Sequence, residues 1–511
     1  MARTNVLVVG AGPTGLTLAI ELASRDIAVR VIDRAPEYSV GSRGKGLAPR
    51  SHEVFHNLGI LDQIEESGYR HFATRRWVDG KLVGDGDPAA EPRPTPGVPY
   101  ETGIMIAQCR TEEILRAKLA EYGVTVELGT ELLDFTSSAT GVRAKVGTGE
   151  EISADYLVGC DGGRSAVRRS VEVSFVGESG PTGMLIGDVR VEGLAPDAWY
   201  MWTVNGLGFV ALCPFRNWSQ WQFQATPITD YDAEGELPPP SLEYFQRIFD
   251  DIAGVPGVRL SEPTWLSTYR VNVRMVDRFR FDRVFLAGDA AHVHPPAGGL
   301  GMNTGIQDAH NLGWKLGLVL TGKADPGLLD SYGEERVPIA EWTLGASSAE
   351  LRHIGDAISK RGFHPRAKLQ QDQLGLGYRW SSLATDLLDR STGVRAGDRA
   401  PDSPCQDTSG TPVRLFDVFR TRWFTLLGFG AGTRETLDAV TAKHGDLVIS
   451  RLVDTSTGPE VDLVDVDGHA HREYGVTEPS LMLIRPDGHL ALTAPASRGK
   501  AVLAYLDGLG R

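Results

Sequence analysis

The sequence predicts an α/β protein of two or three domains: a βαβ unit opens the chain, an antiparallel sheet interrupts it, and a separate α/β unit closes it. Three observations carry that prediction. The stretch "NVLVVGAGPTGLTLAIELASRDIAVRVID", residues 5–33, reads as strand, glycine turn, helix and strand. From about 176 to 270 aromatic and polar residues alternate, as in "GFVALCPFRNWSQWQFQA", which is the period of a sheet. After the "GVRAGDRAPD" boundary at 393–402, new strand-like runs appear in "FTLLGFG", "LVISRLVD" and "SLMLIRPDGHLALTA". At 511 residues the chain exceeds what one hydrophobic core usually holds.

The elements between follow from local signals. The proline-rich "DGDPAAEPRPTPGVPY" at 85–100 predicts a loop. A helix is expected over 111–123, with Leu115 and Leu119 on one stripe and Thr111 as its cap. Strands resume in "VTVELGTELLDFTSS" (124–138) and "ADYLVGCDG" (154–162). In the alternating region Arg216-Asn217 would turn a hairpin, and Arg216 is read as a turn residue rather than a substrate anchor. Only one of the sets Trp221/Phe223 and Gln222/Gln224 is expected to look inward. Prolines at 238–240 precede a helix starting near Ser241, "VFLAG" at 284–288 returns to parallel-strand character, and a further helix is expected from about Asn303 to Leu320.

Composition narrows the partners. Lys and Arg number 52 against 66 Asp and Glu, a net charge of −14, which disfavours nucleic acid or an anionic membrane as the main partner. Cys109, Cys160, Cys213 and Cys405 form no C-x-x-C or metal-type spacing, so reduced thiols and no metal site are expected. The N-terminus runs directly into a strand, and no apolar run reaches membrane-spanning length, which predicts a cytoplasmic protein.

"GAGPTG" places Gly10, Gly12 and Gly15 in the G-x-G-x-x-G pattern, with Thr14 inside the turn. Glycine is needed because the turn is tight, the backbone must approach a pyrophosphate, and the helix must pack closely on the strand. Asp33 ends the second strand, where a carboxylate can accept from a ribose diol, and Arg34 follows it. These residues predict a dinucleotide site without separating NAD from FAD.

The separation comes from "YLVGCDGGRSAVRR" (156–169) and "RVFLAGDAAHVHPPAGGLGMNTG" (283–305), which stand downstream of the glycine turn. With these three motifs in this order, residues 5 to about 345 resemble the group A flavoprotein monooxygenases, the aromatic hydroxylases that include p-hydroxybenzoate hydroxylase, phenol hydroxylase and the aromatic polyketide hydroxylases. The resemblance implies a Rossmann-like FAD-binding domain that is discontinuous (1–175 and 271–392) and an inserted, mainly antiparallel substrate-binding domain (176–270). It further implies that Asp161 serves the FAD and transient nicotinamide sites and that Gly288 and Asp289 meet the ribityl chain. Arg43 would lie near the FAD phosphates with Lys45 as a second charge, Gln108 would address the flavin, and Leu132 would give an adenine-side backbone contact. Around the flavin, Pro296, Gly298, Gly299, Gly301, Met302 and Asn303 would let the main chain lie against the ring, with a helix near Asn303 aiming its free N–H groups at the pyrimidine side. Such donors favour the anion formed on reduction. His292 and His294 are read as structural hydrogen-bonding residues, since no acidic cluster accompanies them.

Residues 393–511 resemble the thioredoxin-like C-terminal domain of phenol hydroxylase and the polyketide hydroxylases, without its dithiol; packing or a dimer contact is the expected role. The implied activity is hydroxylation of a phenolic or polycyclic aromatic substrate with FAD, NADPH or NADH, and O₂, through a C4a-hydroperoxyflavin. Baeyer–Villiger insertion into a ketone and a non-oxygenating flavin-binding module are the alternatives. The nicotinamide has no second glycine fingerprint and would bind in a groove beside the flavin. No catalytic residue is assigned, and the chain is expected to be a monomer or homodimer.

Overall fold

The computed structural model describes residues 2–70, 73–86, 93–227, 230–231, 237–294, 299–359, 372–388 and 393–510. Its first sheet contains parallel strands Ala2–Val9, Val29–Ile32, Val126–Glu127, Glu151–Gly159 and Val284–Leu286. In space the third lies beside the second, then come the first, fourth and fifth, so strand order reverses between Ala2–Val9 and Glu151–Gly159. Val6, Leu7 and Val8 form an unbroken apolar run because both faces of this strand are covered. Helix α1 (Pro13–Ala23) leaves the glycine turn with a proline in its first turn, where a missing N–H costs nothing. Helices α2 (Pro49–Leu58) and α3 (Gln108–Glu121) follow. The last begins three residues before the expected 111, capped by Ala107, so Thr111 lies inside it. A Gln108–Glu112 side-chain hydrogen bond of 2.8 Å ties its first turn. The strand expected over 124–138 divides into Val126–Glu127 and Leu132–Ser138 around Gly129, whose φ is 63°.

The second sheet is antiparallel through Arg259–Met275, Val176–Glu192, Gln220–Pro227, Gly208–Pro214 and Ala198–Val204. It extends beyond the expected 176–270, because Ala73–Val78 adds parallel to Ala198–Val204, Lys81–Gly86 pairs with it, and His292–Val293 closes the far edge. Part of the loop expected at 85–100 is thus strand, and its residues 87–92 lie outside the described residues. The hairpin turns at Arg216-Asn217 as expected, with Asn217 at φ 57°.

Helix α4 (Leu242–Ala253) starts where Ser241 accepts from the Tyr244 N–H. Its Phe245, Ile248 and Phe249 cover Leu185, Trp202, Leu212, Trp221 and Phe223 on one sheet face. Contrary to the one-sided expectation, Gln222 is buried as completely as Phe223. Both faces are covered, one by α4 and the other by the loop around Ser42 and Lys45, to which Gln222 hydrogen bonds.

Helix α5 (Leu300–Leu320) packs along α1, and helix α6 (Asp330–Ser359) follows. The third sheet centres on Phe424–Phe429, parallel to Val448–Asp454 and antiparallel to Ser480–Ile484, which pairs with Leu490–Pro495. Strand Thr385–Asp386 joins its edge, so this unit takes in chain before 393.

Buried charges join the third sheet to the helices of the first. Arg485 meets both Glu335 oxygens at 2.6 and 3.0 Å, and Lys315 reaches Glu335 at 2.8 Å. All three are at most 1% exposed. Arg50 donates to the Asp487 carbonyl at 2.8 Å, and Arg399 holds Glu53 at 2.6 Å. Among the described residues, no helix is long and apolar enough to cross a membrane.

Candidate active site

The reversal of strand order opens a crevice at the carboxyl ends of Ala2–Val9 and Glu151–Gly159, the place where open α/β sheets bind ligands. The motifs meet there in van der Waals contact. A Cβ on Gly10, whose φ is 104°, would stand 2.4 Å from the Cys160 carbonyl oxygen, and one on Gly15 would stand 2.0 Å from the Gly10 oxygen. The Thr14 hydroxyl occupies the space between Gly288 and Gly305. By contrast, a Cβ at Gly12 or Gly299 would meet no atom of the described residues within 4 Å beyond its chain neighbours, so those two positions face open space.

Asp33 accepts from the Ala11 N–H at 2.8 Å and the Ala35 N–H at 2.9 Å, fixing its carboxylate beside the glycine turn. The Thr130 N–H reaches the Asp33 carbonyl at 2.8 Å, bringing the strand that begins at Leu132 to the same end. The Leu132 side chain is buried in the core, leaving only its main chain for a ligand. Arg34 is exposed at the rim.

Asp161 Oδ2 accepts from the Ala166 and Val167 N–H groups at 2.6 and 3.3 Å, while Oδ1 is buried without a partner among the described residues. Asp289 opens onto the cleft but is walled by protein. Burial raises its carboxyl, and His292 and Arg43 act against that rise. Gln108 accepts from the Gly44 N–H at 2.9 Å, and Met302 lies beside the same glycine. The Arg43 charge acts on both the Glu112 and the Asp289 carboxyls, against the rise that burial gives each.

Two expected roles are corrected. Lys45 supplies no second charge beside Arg43: its ammonium is inserted into the second sheet, 2.6 Å from Gln222 Oε1 and 2.8 Å from Gln224 Oε1. Helix α5 starts at Leu300, capped by Gly299 at φ 65°, so the free N–H groups of its first turn belong to Leu300, Gly301 and Met302 rather than to Asn303. The Asn303 side chain is fully used, accepting from Ala48 N–H and Ser51 and donating to the Gly46 and Gly299 carbonyls. Pro296 and Gly298 lie outside the described residues.

The sequence offered no signal for the support beneath this cleft. Asp308 accepts from the Gly288 N–H at 3.0 Å, meets His292 Nε2 at 2.6 Å and receives Arg336 Nε at 2.7 Å. Burial opposes its ionisation, but Arg336 and His292 outweigh that and hold the carboxyl well below its usual range. His292 in turn meets His294 at 2.7 Å, and burial pushes His294 well below the usual histidine range. His292 thus has an acidic partner in Asp308, which the sequence did not show, and among the described residues no group of three or more His, Cys, Asp or Glu is placed to hold a metal ion.

Crevice, glycine turn, open space at Gly12 and Gly299, and an Asp161 oxygen without a partner among the described residues fit a dinucleotide cofactor with a planar head. A sequence profile described as "FAD binding domain" matches residues 3–347, and one described as "Aromatic-ring hydroxylase, C-terminal" matches residues 394–508. The chain belongs to the FAD-dependent aromatic-ring hydroxylase family, and it is a flavin-dependent monooxygenase. It is 40% identical to a flavin-dependent monooxygenase of Mycobacteroides abscessus, over 98% of this chain and 99% of that one. It is 34% identical to 6-methylpretetramide 4-monooxygenase of Streptomyces rimosus, over 99% and 93% of the two chains. The crystal structure of aklavinone-11 hydroxylase with FAD and aklavinone superposes with a TM-score of 0.83 at 27% identity, covering 100% of both chains.

Proposed function

We propose that the chain hydroxylates a phenolic or polycyclic aromatic substrate, consuming NADPH or NADH and O₂. The observation that carries this reading is the contact between the three motifs at the crevice, with the second sheet presenting a buried polar row, Gln222 and Asp188, to the loop beside it. In this reading the first sheet and α5 bind FAD, the second sheet bounds the substrate chamber, and the third unit is a thioredoxin-like domain without redox chemistry. Relatives acting on a pretetramide and on pentachlorophenol, and a neighbour holding aklavinone, support the substrate class.

The cofactor-holding residues would be the Gly10–Gly15 turn for the pyrophosphate, Asp33 for the ribose and Leu132 by its main chain for the adenine side. Arg43 would serve the phosphates, and Asp161, Gly288 and Asp289 the ribityl region. The first turn of α5 and Gln108 would meet the flavin. The chemistry that bound FAD supplies is hydride acceptance from the nicotinamide and activation of O₂. The protein's share is orientation, N–H donors aimed at developing charge, and exclusion of water.

Asp33→Ala is expected to lower the flavin content of the purified protein, and Asp289→Ala to leave it largely apo; the visible spectrum of each preparation checks both. Cys405 is buried, burial pushes its thiol up to about 12, and it forms no disulfide. Turnover per bound flavin should therefore be unchanged in Cys405→Ser.

The deciding experiment is an NAD(P)H-oxidation screen over phenols and polycyclic quinones, with peroxide quantified and the new oxygen located by NMR. Oxygen on an aromatic carbon supports hydroxylation. Oxygen beside a former ketone carbonyl would replace it with ring insertion, and NAD(P)H consumption balanced by peroxide for every compound would end the proposal.

A further inference from the structure

Where α1, α2 and α3 end, a cavity of about 360 Å³ opens between these helices and the segment Arg420–Trp423 of the third unit. It is remote from the crevice: α1 has 11 residues, so its far end stands about 16 Å from the glycine turn. Four cations line the cavity, Arg25 and Lys118 from the first unit and Arg420 and Arg422 from the third, with the Tyr122 and Trp423 side chains beside them. Among the described residues Glu21 is the one acid in the lining, and it offers the cavity no free oxygen. One of its oxygens meets Arg25, and the other meets His310 Nδ1 at 2.6 Å. The chain as a whole carries −14, so a hollow lined four to one by cations runs against the average of its surface.

Basic side chains at helix C-termini commonly serve the unsatisfied carbonyls there. Among these four only Arg25 does so, its Nη1 donating to the Glu21 carbonyl at 2.7 Å. Lys118 pairs with Glu121 at 2.7 Å and Arg422 with Asp26 at 2.6 Å. Both acids stand outside the lining and are 61% and 82% exposed, so water and salt weaken those pairs and an anion in the cavity can compete with them. Arg420 has no side-chain hydrogen bond or ion pair among the described residues. Its Nη2 lies over the end of α2, where a Cβ on Gly59 would come within 2.0 Å of it. Capping therefore accounts for one of the four charges and leaves the others facing a hollow without an acid to meet them.

We propose that this cavity binds a small organic anion, a carboxylate or phosphate on an aromatic body, and that its occupant clamps the third unit onto the helices of the first. The oxyanion would accept from Arg420, Arg422 and Lys118, the arginines offering paired N–H donors that match a carboxylate or phosphate. The aromatic body would lie against Tyr122 and Trp423. Tyr122 is 39% exposed, and an inorganic anion would leave that ring uncovered.

The volume agrees with this class, since small-molecule sites run from roughly 300 to 1,000 Å³ and this one lies at the lower end. The placement gives the consequence. The cations come from both units, so a ligand that touches all of them binds only the docked arrangement and stabilises it. The site stands apart from the hydroxylase reading, because none of its lining residues belongs to the crevice.

The test uses the FAD-loaded full chain and four probes at constant ionic strength: 1-naphthoate, 1-naphthyl phosphate, the neutral 1-naphthamide and inorganic phosphate. Calorimetric titration and thermal unfolding read binding, and the flavin spectrum reports on the crevice. At least one naphthyl anion should bind and raise the thermal midpoint without altering the flavin spectrum, and the amide and inorganic phosphate should bind about tenfold more weakly or worse. Lys118→Gln on one side of the cavity and Arg420→Gln with Arg422→Gln on the other should each raise the Kd about tenfold or more, at unchanged flavin content. Ligand-free midpoints show that the variants fold, and Arg143→Gln, an exposed arginine elsewhere, should leave the Kd unchanged. The proposal is overturned if neither naphthyl anion binds, if binding survives in both variants, or if the amide or inorganic phosphate binds as tightly as the anions. Loss from one side alone overturns the clamp.

Discussion

Arg485→Ala is expected to lower stability by about 3–5 kcal/mol, the usual cost of removing one partner from a buried ion pair. Glu335 and Asp487, both at most 2% exposed, would lose the guanidinium that joins them. Lys315 would remain beside Glu335, yet burial already pushes its own ammonium down to about 8, so it is a weak substitute. Urea unfolding followed by tryptophan fluorescence should show a clearly lower midpoint, and flavin should be lost early in the transition. The loss follows because Arg336, the neighbour of Glu335 on α6, holds Asp308 under Gly288. A midpoint equal to wild type would mean that the third unit is not anchored through this residue.

Gly10→Ala is expected to abolish flavin retention. The new Cβ would fall 2.4 Å from the Cys160 carbonyl oxygen and 2.8 Å from the Asp161 Cα, both main-chain atoms that no side-chain rotation can move aside. The residue also sits at φ 104°, a conformation costing about 1–3 kcal/mol for a residue with a side chain. Relief requires separating the first and fourth strands at the crevice itself. Apo-protein with a lowered thermal midpoint is the expected preparation, and a yellow Gly10→Ala protein of normal stability would contradict the observed strand contact.

What could be read in advance was whatever rests on local chemistry. Gly10, Gly12 and Gly15, Asp33 at a strand end, the Arg216-Asn217 turn and the Ser241 cap each announce themselves within a few residues. Helix starts were misplaced where the cap is main chain rather than side chain. Thr111 looked like a cap but Ala107 serves, and Asn303 looked like a first helical residue but Gly299 turns the chain before it. Residues with distant partners were illegible. Asp308 acquires meaning only from Arg336, and Lys45 only from Gln222 and Gln224, far along the chain. The edge strand Ala73–Val78 escaped because its partner, Ala198–Val204, comes more than a hundred residues later.

The two-sided strand Gln220–Pro227 has a practical corollary for anyone wishing to redirect this catalyst. Trp221, Phe223 and Ala225 belong to the foundations, whereas the intervening glutamines hold the Lys45 loop on the opposite face, which in the proposed reading is the substrate side. Libraries confined to the even-numbered positions should reshape what the chamber admits while the scaffold survives, and randomising the odd ones should mostly yield insoluble chains.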